Sequence, residues 1–186
     1  DHELFLTGAE RLVRVRPETR FLIVGDGPRR ADLQQQASDL GIRGAVQFLG
    51  VRSDVPELLS AMDLVALTSH NEASPVSILE ALSSGRPVVA ADVGSVAETV
   101  VPDQTGLLFP AGDAKAYATA VGDLLDDRPR RERLGAEGRR RVVECWSLDA
   151  MTRGYETLIE QAYAAAMPSR EAWSEGPIVG QTAPHG

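Results

Sequence analysis

Two glutamates, Glu72 and Glu80, form an E-x7-E pair around the loop Ala73-Ser74-Pro75 and the start of a helix predicted over Val76 to Ser84. The first turn of a helix has unpaired backbone N–H groups and carries a partial positive charge near about +0.5. Such a turn is an anion site suited to a diphosphate. Ser74 is placed to cap this helix and Pro75 to take its first position. Val76 and Glu80 are four residues apart, so the Glu80 carboxylate lies one turn, about 6 Å, from the helix start. There it can accept both hydroxyls of a ribose whose phosphates rest on the helix. Each such charge-assisted bond is worth about 1.5–3 kcal/mol. Ile78, Leu79 and Leu82 form the core arc of the helix, and Glu80 lies roughly opposite. Glu72 precedes the helix and can meet a sugar beyond the phosphates. On chemistry alone a second reading stays open, in which Glu80 is a solvated helix carboxylate and Glu72 an acidic loop residue.

The turn Gly25-Asp26-Gly27-Pro28 is a second candidate, because glycines let a backbone approach a ligand closely. It follows an apolar run, but Arg30 stands where the dinucleotide fingerprint G-x-G-x-x-G needs its third glycine. A nicotinamide site is therefore weakly supported, and a plain tight turn into a helix stays open beside ligand contact. Ser69 and His70 could belong to a hydrolase triad, yet the nucleophile elbow G-x-S-x-G does not occur. His70 reads instead as a cleft-lining or packing residue. With His2, His70, His185 and one cysteine, no metal-ligand cluster is expected. Arg128, Arg130, Arg131, Arg133, Arg139, Arg140 and Arg141 are interleaved with Asp126, Asp127, Glu132, Glu137 and Glu144, the pattern of a salt-bridged helix face.

The elements that must position these residues alternate along the chain. Strands are predicted at 21–24, 46–49, 64–67, 87–91 and 107–109. Helices are predicted at 29–40, from Ser53 or Asp54 to Met62, at 76–84, 113–125 and 129–144. Continuous apolar strands separated by helices imply a parallel sheet covered on both faces, a doubly wound, Rossmann-like α/β domain. In such sheets ligands bind beyond the carboxyl ends of the strands, which is where both candidates fall. Helical spacing in Met151, Tyr155, Leu158, Ile159 and Ala162 predicts one more helix at 148–166. The expected organisation is a domain at 1–147, that helix, and a disordered tail at 167–186.

The formal net charge is −8, which opposes nonspecific nucleic-acid binding, since phosphates need a basic footprint. Lys115 is the only lysine. Cys145 is the only cysteine, so no internal disulfide can form, in keeping with a reducing cytosol. No apolar run approaches the roughly 18–20 residues that span a bilayer. The chain opens on Asp1-His2-Glu3, without a signal-peptide pattern and without Met, so its true start is expected to lie upstream.

Five blocks recur in a familiar order. They are Phe21 to Pro28, Val46 to Gly50, Glu72 to Val89, Asp92-Val93-Gly94-Ser95-Val96-Ala97-Glu98, and Thr105-Gly106-Leu107-Leu108-Phe109. Together they resemble the C-terminal, donor-binding domain of family 4 glycosyltransferases, which have the two-domain GT-B fold. The resemblance covers about residues 2–165. It implies retaining transfer of a sugar from a nucleoside diphosphate donor such as a UDP- or GDP-sugar, with no cofactor and no essential metal. It also implies that Glu80 holds the ribose and that Glu72, the catalytic candidate, contacts the donor sugar. Backbone amides around Ser74, Pro75 and Val76 would bind phosphate and sugar oxygens. Gly25, Gly27, Gly50, Val51 and Arg52 would line the cleft, the last three near the base.

Three departures from the family pattern matter. Ala73-Ser74-Pro75 replaces the commoner Gly-Phe-Gly type of loop. The Arg and Lys that the family sets against the diphosphate fall just before Asp1-His2-Glu3-Leu4. The N-terminal acceptor domain is absent, so this chain is expected to be inactive alone. The expected partners are a nucleotide-sugar donor, an acceptor of unknown class (glycan, lipid-linked or small molecule) and the missing N-terminal domain, with no nucleic acid. The expected location is cytoplasmic, at the inner membrane surface if the acceptor is a lipid. A related GT-B enzyme such as a nucleotide-sugar epimerase, and a non-catalytic nucleotide- or partner-binding module, are the alternative readings.

Overall fold

The computed structural model describes residues 1–166; the predicted tail lies outside the described residues. The apolar runs form β1 (Phe21–Val24), β2 (Val46–Gly50), β3 (Val65–Leu67), β4 (Val88–Ala91) and β5 (Gly106–Phe109). The helices are α1 (His2–Val15), α2 (Arg30–Asp39), α3 (Val55–Ala61), α4 (Val76–Ser83), α5 (Val96–Thr99), α6 (Ala114–Asp126), α7 (Arg128–Cys145) and α8 (Leu148–Ala166). Strand β4 begins at Val88 rather than Pro87, because proline has no N–H for the ladder. The Pro87 carbonyl still accepts from Val65 N at 3.0 Å, so the residue leads into the sheet. Two helices are additions to the sequence reading: α1, which was assigned no bounds, and the four-residue α5.

Every strand pair is parallel, as the alternation of strand and helix predicts. Backbone hydrogen bonding divides the strands into a pair, β1–β2, and a triple, β3–β4–β5. The winding is double, and β4 shows why. Its residues alternate between two apolar clusters: Val89 and Ala91 join Leu6, Leu12, Phe21, Val46, Phe109 and Tyr117, drawn from α1, α6 and neighbouring strands. Val88 and Ala90 join Leu59, Ile78, Leu82, Val96 and Val142, drawn from α3, α4, α5 and α7. Side chains on a strand point alternately to opposite faces, so a strand apolar at every position must be covered on both.

Two close approaches set the helix packing. The α1 residue Gly8 lies under the Tyr117 ring of α6, where a Cβ would overlap the ring. Tyr117 itself packs against Phe5 and Phe109, with ring centroids 5.9 and 5.4 Å away. On the other face, Gly135 and Gly138 of α7 let it settle on the end of α4. A Cβ at Gly135 would overlap the Gly85 carbonyl oxygen and lie 2.9 Å from its carbon. Gly135→Ala should therefore destabilise the domain by about 1–3 kcal/mol, as overpacking against backbone that cannot swing aside. A urea midpoint unchanged from wild type would contradict this packing.

The arginines of α7 are engaged as their interleaving with acids predicts. Arg128 pairs with Glu132 at 2.7 Å, and Arg140 with Glu137 and Glu144 at 2.5 Å each. Others reach away from the helix. Arg131 pairs with Asp63 at 2.8 Å, Arg130 with Asp103, and Arg141 donates to Gln104 at 3.0 Å. These bonds fasten α7 to the domain.

The described chain forms two compact units, Asp1–Trp146 and the segment from Ser147 onward. In the second unit, Ser147 Oγ accepts from Ala150 N at 3.2 Å and so caps α8. Along α8, Leu148, Met151, Tyr155, Leu158, Ile159 and Tyr163 recur at helical spacing, and each is more than half exposed. No helix among the described residues is long and apolar enough to cross a membrane.

Candidate functional site

The loop after β3 enters α4 as the sequence predicts, but the cap differs. Pro75, not Ser74, is the N-cap, with φ −72° and ψ 104°, and Val76 is the first helical residue. The reason is local: Pro75 has a helical φ but an extended ψ, so the first helical residue is the one after it. No side chain caps the first turn of α4, so its amides are not satisfied by a serine hydroxyl. Val76 is 63% exposed, and Glu80, one turn on, is exposed as well. Ile78, Ala81 and Leu82 are buried on the opposite side. The helix therefore presents an uncapped N-terminus and a carboxylate along one solvent-facing edge.

Glu72 is half-buried in the loop that leads to this helix. Its carbonyl accepts from Ser95 N at 3.1 Å, and the Ala73 carbonyl accepts from Ser95 Oγ. Gly94, three residues after the end of β4, has a φ of +52° and lies directly against the Glu72 peptide. Sequence reading gave Gly94 and Ser95 no role. Their signal was the block Asp92 to Glu98, which follows a strand as the other candidates do.

The glycine turns meet each other. Gly25 N donates to Gly50 O at 2.8 Å, and both residues have positive φ, +115° and +70°. Leu49 is the extra residue that shifts the register of β1 against β2 just before this contact. Arg30 replaces the fingerprint glycine for a structural reason. Its Nη2 donates to Phe48 O at 2.8 Å, and its Nη1 lies 3.6 Å from Asp26, tying the start of α2 to the middle of β2. Gly27 and Val51 are exposed. Arg52 is held by Asp54 through two bonds of 2.8 and 2.6 Å. That ion pair keeps the Asp54 carboxyl below its ordinary range and raises Arg52. Gly25, Gly27, Gly50, Val51 and Arg52 thus gather at the ends of β1 and β2, whereas Glu72, Ser74, Pro75, Val76 and Glu80 gather at the end of β3. Among the described residues no hydrogen bond joins the two groups.

The N-terminus of α1 lies at the second group. Asp1 O accepts from Thr68 Oγ1 at 2.8 Å, and Asp1 Oδ2 lies 3.0 Å from His70 Nε2. Exposed His70 is therefore a tether for α1. Asp1 also caps α1 by accepting from Leu4 N at 2.9 Å. Among the described residues no cluster of three or more histidines, cysteines or carboxylates is arranged to hold a metal ion.

The fold is a parallel α/β domain with an uncapped helix N-terminus at a strand's carboxyl end, and its structural neighbours are GT-B glycosyltransferases. Residues 1–141 match the family model described as glycosyl transferases group 1, and the chain belongs to that family. It is 33% identical to the N-acetyl-alpha-D-glucosaminyl L-malate synthase of Bacillus anthracis over 141 residues, which are 76% of this chain and 37% of that protein. Among solved structures, the sucrose-phosphate synthase of Thermosynechococcus elongatus superposes with a TM-score of 0.76 at 28% identity, covering 89% of this chain and 44% of that one. Anabaena HepE in complex with UDP gives 0.75 at 29% identity, covering 86% and 45%. The chain spans less than half the length of the curated relatives it matches.

Proposed function

We propose that this chain supplies the donor site of a retaining glycosyltransferase of family 4 type, which moves a sugar from a nucleoside diphosphate to an acceptor bound by the other half of the protein. The observation that carries the reading is the solvent-facing edge of α4, with an uncapped first turn and an exposed carboxylate one turn further on. The turn matches a diphosphate and the carboxylate matches the paired hydroxyls of a ribose. Glu72 then faces the donor sugar. The glycine turns at Gly25, Gly27 and Gly50, with Val51 and Arg52, lie toward the base. As the bond to the sugar breaks, negative charge grows on the leaving diphosphate, and the amides of Val76 and Ser77 are fixed in place to stabilise it. This role needs no metal ion. A cytoplasmic setting goes with such a donor and with a single exposed cysteine.

Calorimetric titration with UDP, GDP and ADP tests the reading. UDP comes first, because it is the nucleotide held by the HepE structure. One nucleotide should bind, with the same affinity in EDTA as without it. The titration should be run on this chain and on one extended upstream of Asp1, since the N-terminus of α1 lies beside the loop at Thr68 and His70. Silence from both chains would overturn the donor site, and loss of binding in EDTA would overturn the metal-free role.

A further inference from the structure

We propose that Gly94 and Ser95, in the turn between β4 and α5, are positioning residues that hold Glu72 at the donor sugar; the proposal rests on the donor-site reading above. Backbone hydrogen bonds in folded chains are nearly always satisfied, so it matters where those of a catalytic loop go. Between Ser69 and Ser74, the backbone hydrogen bonds among the described residues are the two that come from Ser95, its N–H to Glu72 O at 3.1 Å and its hydroxyl to Ala73 O. The loop that carries Glu72 is thus held from outside itself.

Ser95 occupies the N-cap position of α5, where a serine hydroxyl ordinarily accepts from the helix's own amides. Here it makes no such bond and points its hydroxyl across to the neighbouring loop. Gly94 completes the mould. At φ +52° it holds a conformation that L side chains rarely adopt. A Cβ built there would overlap the Glu72 carbonyl oxygen, and would lie 3.0 Å from its carbon and 3.3 Å from the Glu72 nitrogen. The Glu72 backbone occupies the space that any side chain at this position would take.

The mould is itself anchored. Asp92 N donates to Phe109 O at 2.9 Å, and Val96, directly after Ser95, is fully buried. A turn fixed to β5 and to the core therefore transmits its position to Glu72. His70 ties the start of this loop to Asp1, but among the described residues the backbone of Glu72 and Ala73 has no hydrogen bond besides those from Ser95. A carboxylate without them would wander by more than the roughly 0.5 Å that a productive site tolerates.

Three variants of the chain test this: Ser95→Ala, Ser95→Thr and Gly94→Ala. Each is titrated with UDP and GDP, and with UDP-glucose, UDP-N-acetylglucosamine and GDP-mannose. In Ser95→Ala the diphosphate alone should bind within about twofold of wild type, because α4 and Glu80 are untouched. The extra affinity conferred by the sugar should fall by about fivefold or more, the weight of one hydrogen bond. Ser95→Thr, which keeps the hydroxyl, should restore it. Backbone ¹⁵N order parameters at Glu72 and Ala73 should drop in Ser95→Ala and Gly94→Ala from about 0.85 toward about 0.6, with α4 unchanged. An equal loss for diphosphate and sugar nucleotide, accompanied by a lower melting temperature, would show a merely structural serine and overturn the proposal. Unchanged order parameters at Glu72 would overturn it whatever the titrations show. If wild-type chains, native and extended, bind no nucleotide, the donor-site reading fails, and the positioning role toward a sugar fails with it.

Discussion

Replacing Glu80 by alanine should weaken binding of the preferred nucleoside diphosphate by at least about tenfold and leave the fold untouched. The magnitude follows from the bonds at stake. Two ribose hydroxyls donating to one carboxylate are each worth about 1.5–3 kcal/mol, and about 1.4 kcal/mol is a factor of ten. The intact fold follows from position. Glu80 is exposed, takes no part in either apolar cluster, and is replaced by the best helix former. A surface change of that kind stays within about 0.5 kcal/mol of stability. Glu80→Gln keeps one acceptor oxygen and should fall between wild type and alanine. The discriminating experiment is calorimetry paired with thermal melting. Full affinity in Glu80→Ala would remove the ribose role from this residue. Lost affinity with a lower melting temperature would mean that the carboxylate supports the helix and not the ligand.

The largest stability effect is expected at Tyr117. The residue is 1% exposed, packed between the tilted rings of Phe5 and Phe109 and seated over Gly8. Tyr117→Ala should cost about 3–5 kcal/mol, the range for truncating a large aromatic in a core that cannot collapse around the hole. Burial also pushes the hydroxyl well above its ordinary value near 10. The sign of the pH dependence follows. The folded state keeps the proton while the unfolded state loses it above about pH 10, so the unfolded state binds fewer protons there and stability falls as pH rises. Below pH 10 the contribution is fully present. Tyr117→Phe should therefore lose little stability at neutral pH and be less sensitive to alkali than wild type. Urea midpoints at pH 7 and pH 10.5 measure both effects. Equal alkaline sensitivity in the two proteins would show that another group dominates.

The strands were legible because their composition leaves little choice: runs such as Val88-Val89-Ala90-Ala91 can be buried only between two layers. The entry into α4 was legible for the same kind of reason, since proline marks a helix start, although the extended ψ of Pro75 puts the cap one residue later than Ser74. Helix α1 was harder. Its cap, Asp1, is the first residue, and its apolar stripe of Leu4, Leu6, Ala9 and Leu12 is interrupted by charge. Ser95 and Gly94 could not be read as supports for Glu72, because their bonds run between loops more than twenty residues apart in sequence. A hydroxyl that leaves its own helix to reach a neighbour has no local signature. Arg30 shows the converse. The departure from the glycine fingerprint was visible, but its reason, a bond to Phe48 O, emerges only when β1 and β2 are paired.

The division of the strands into a pair and a triple also has a dynamic consequence. In β4 all four residues are buried and both edges are hydrogen-bonded, so its amides should exchange with deuterium only when the whole domain opens. β1 and β2 share one ladder, and that pair can open at lower free energy. The candidate site draws on both parts: Gly25 and Gly50 belong to the pair, Glu72 and Glu80 to the triple. A ligand that touches both would couple two regions of unequal local stability. Its binding would then register as slowed exchange in β1 and β2, far from the carboxylates that hold it.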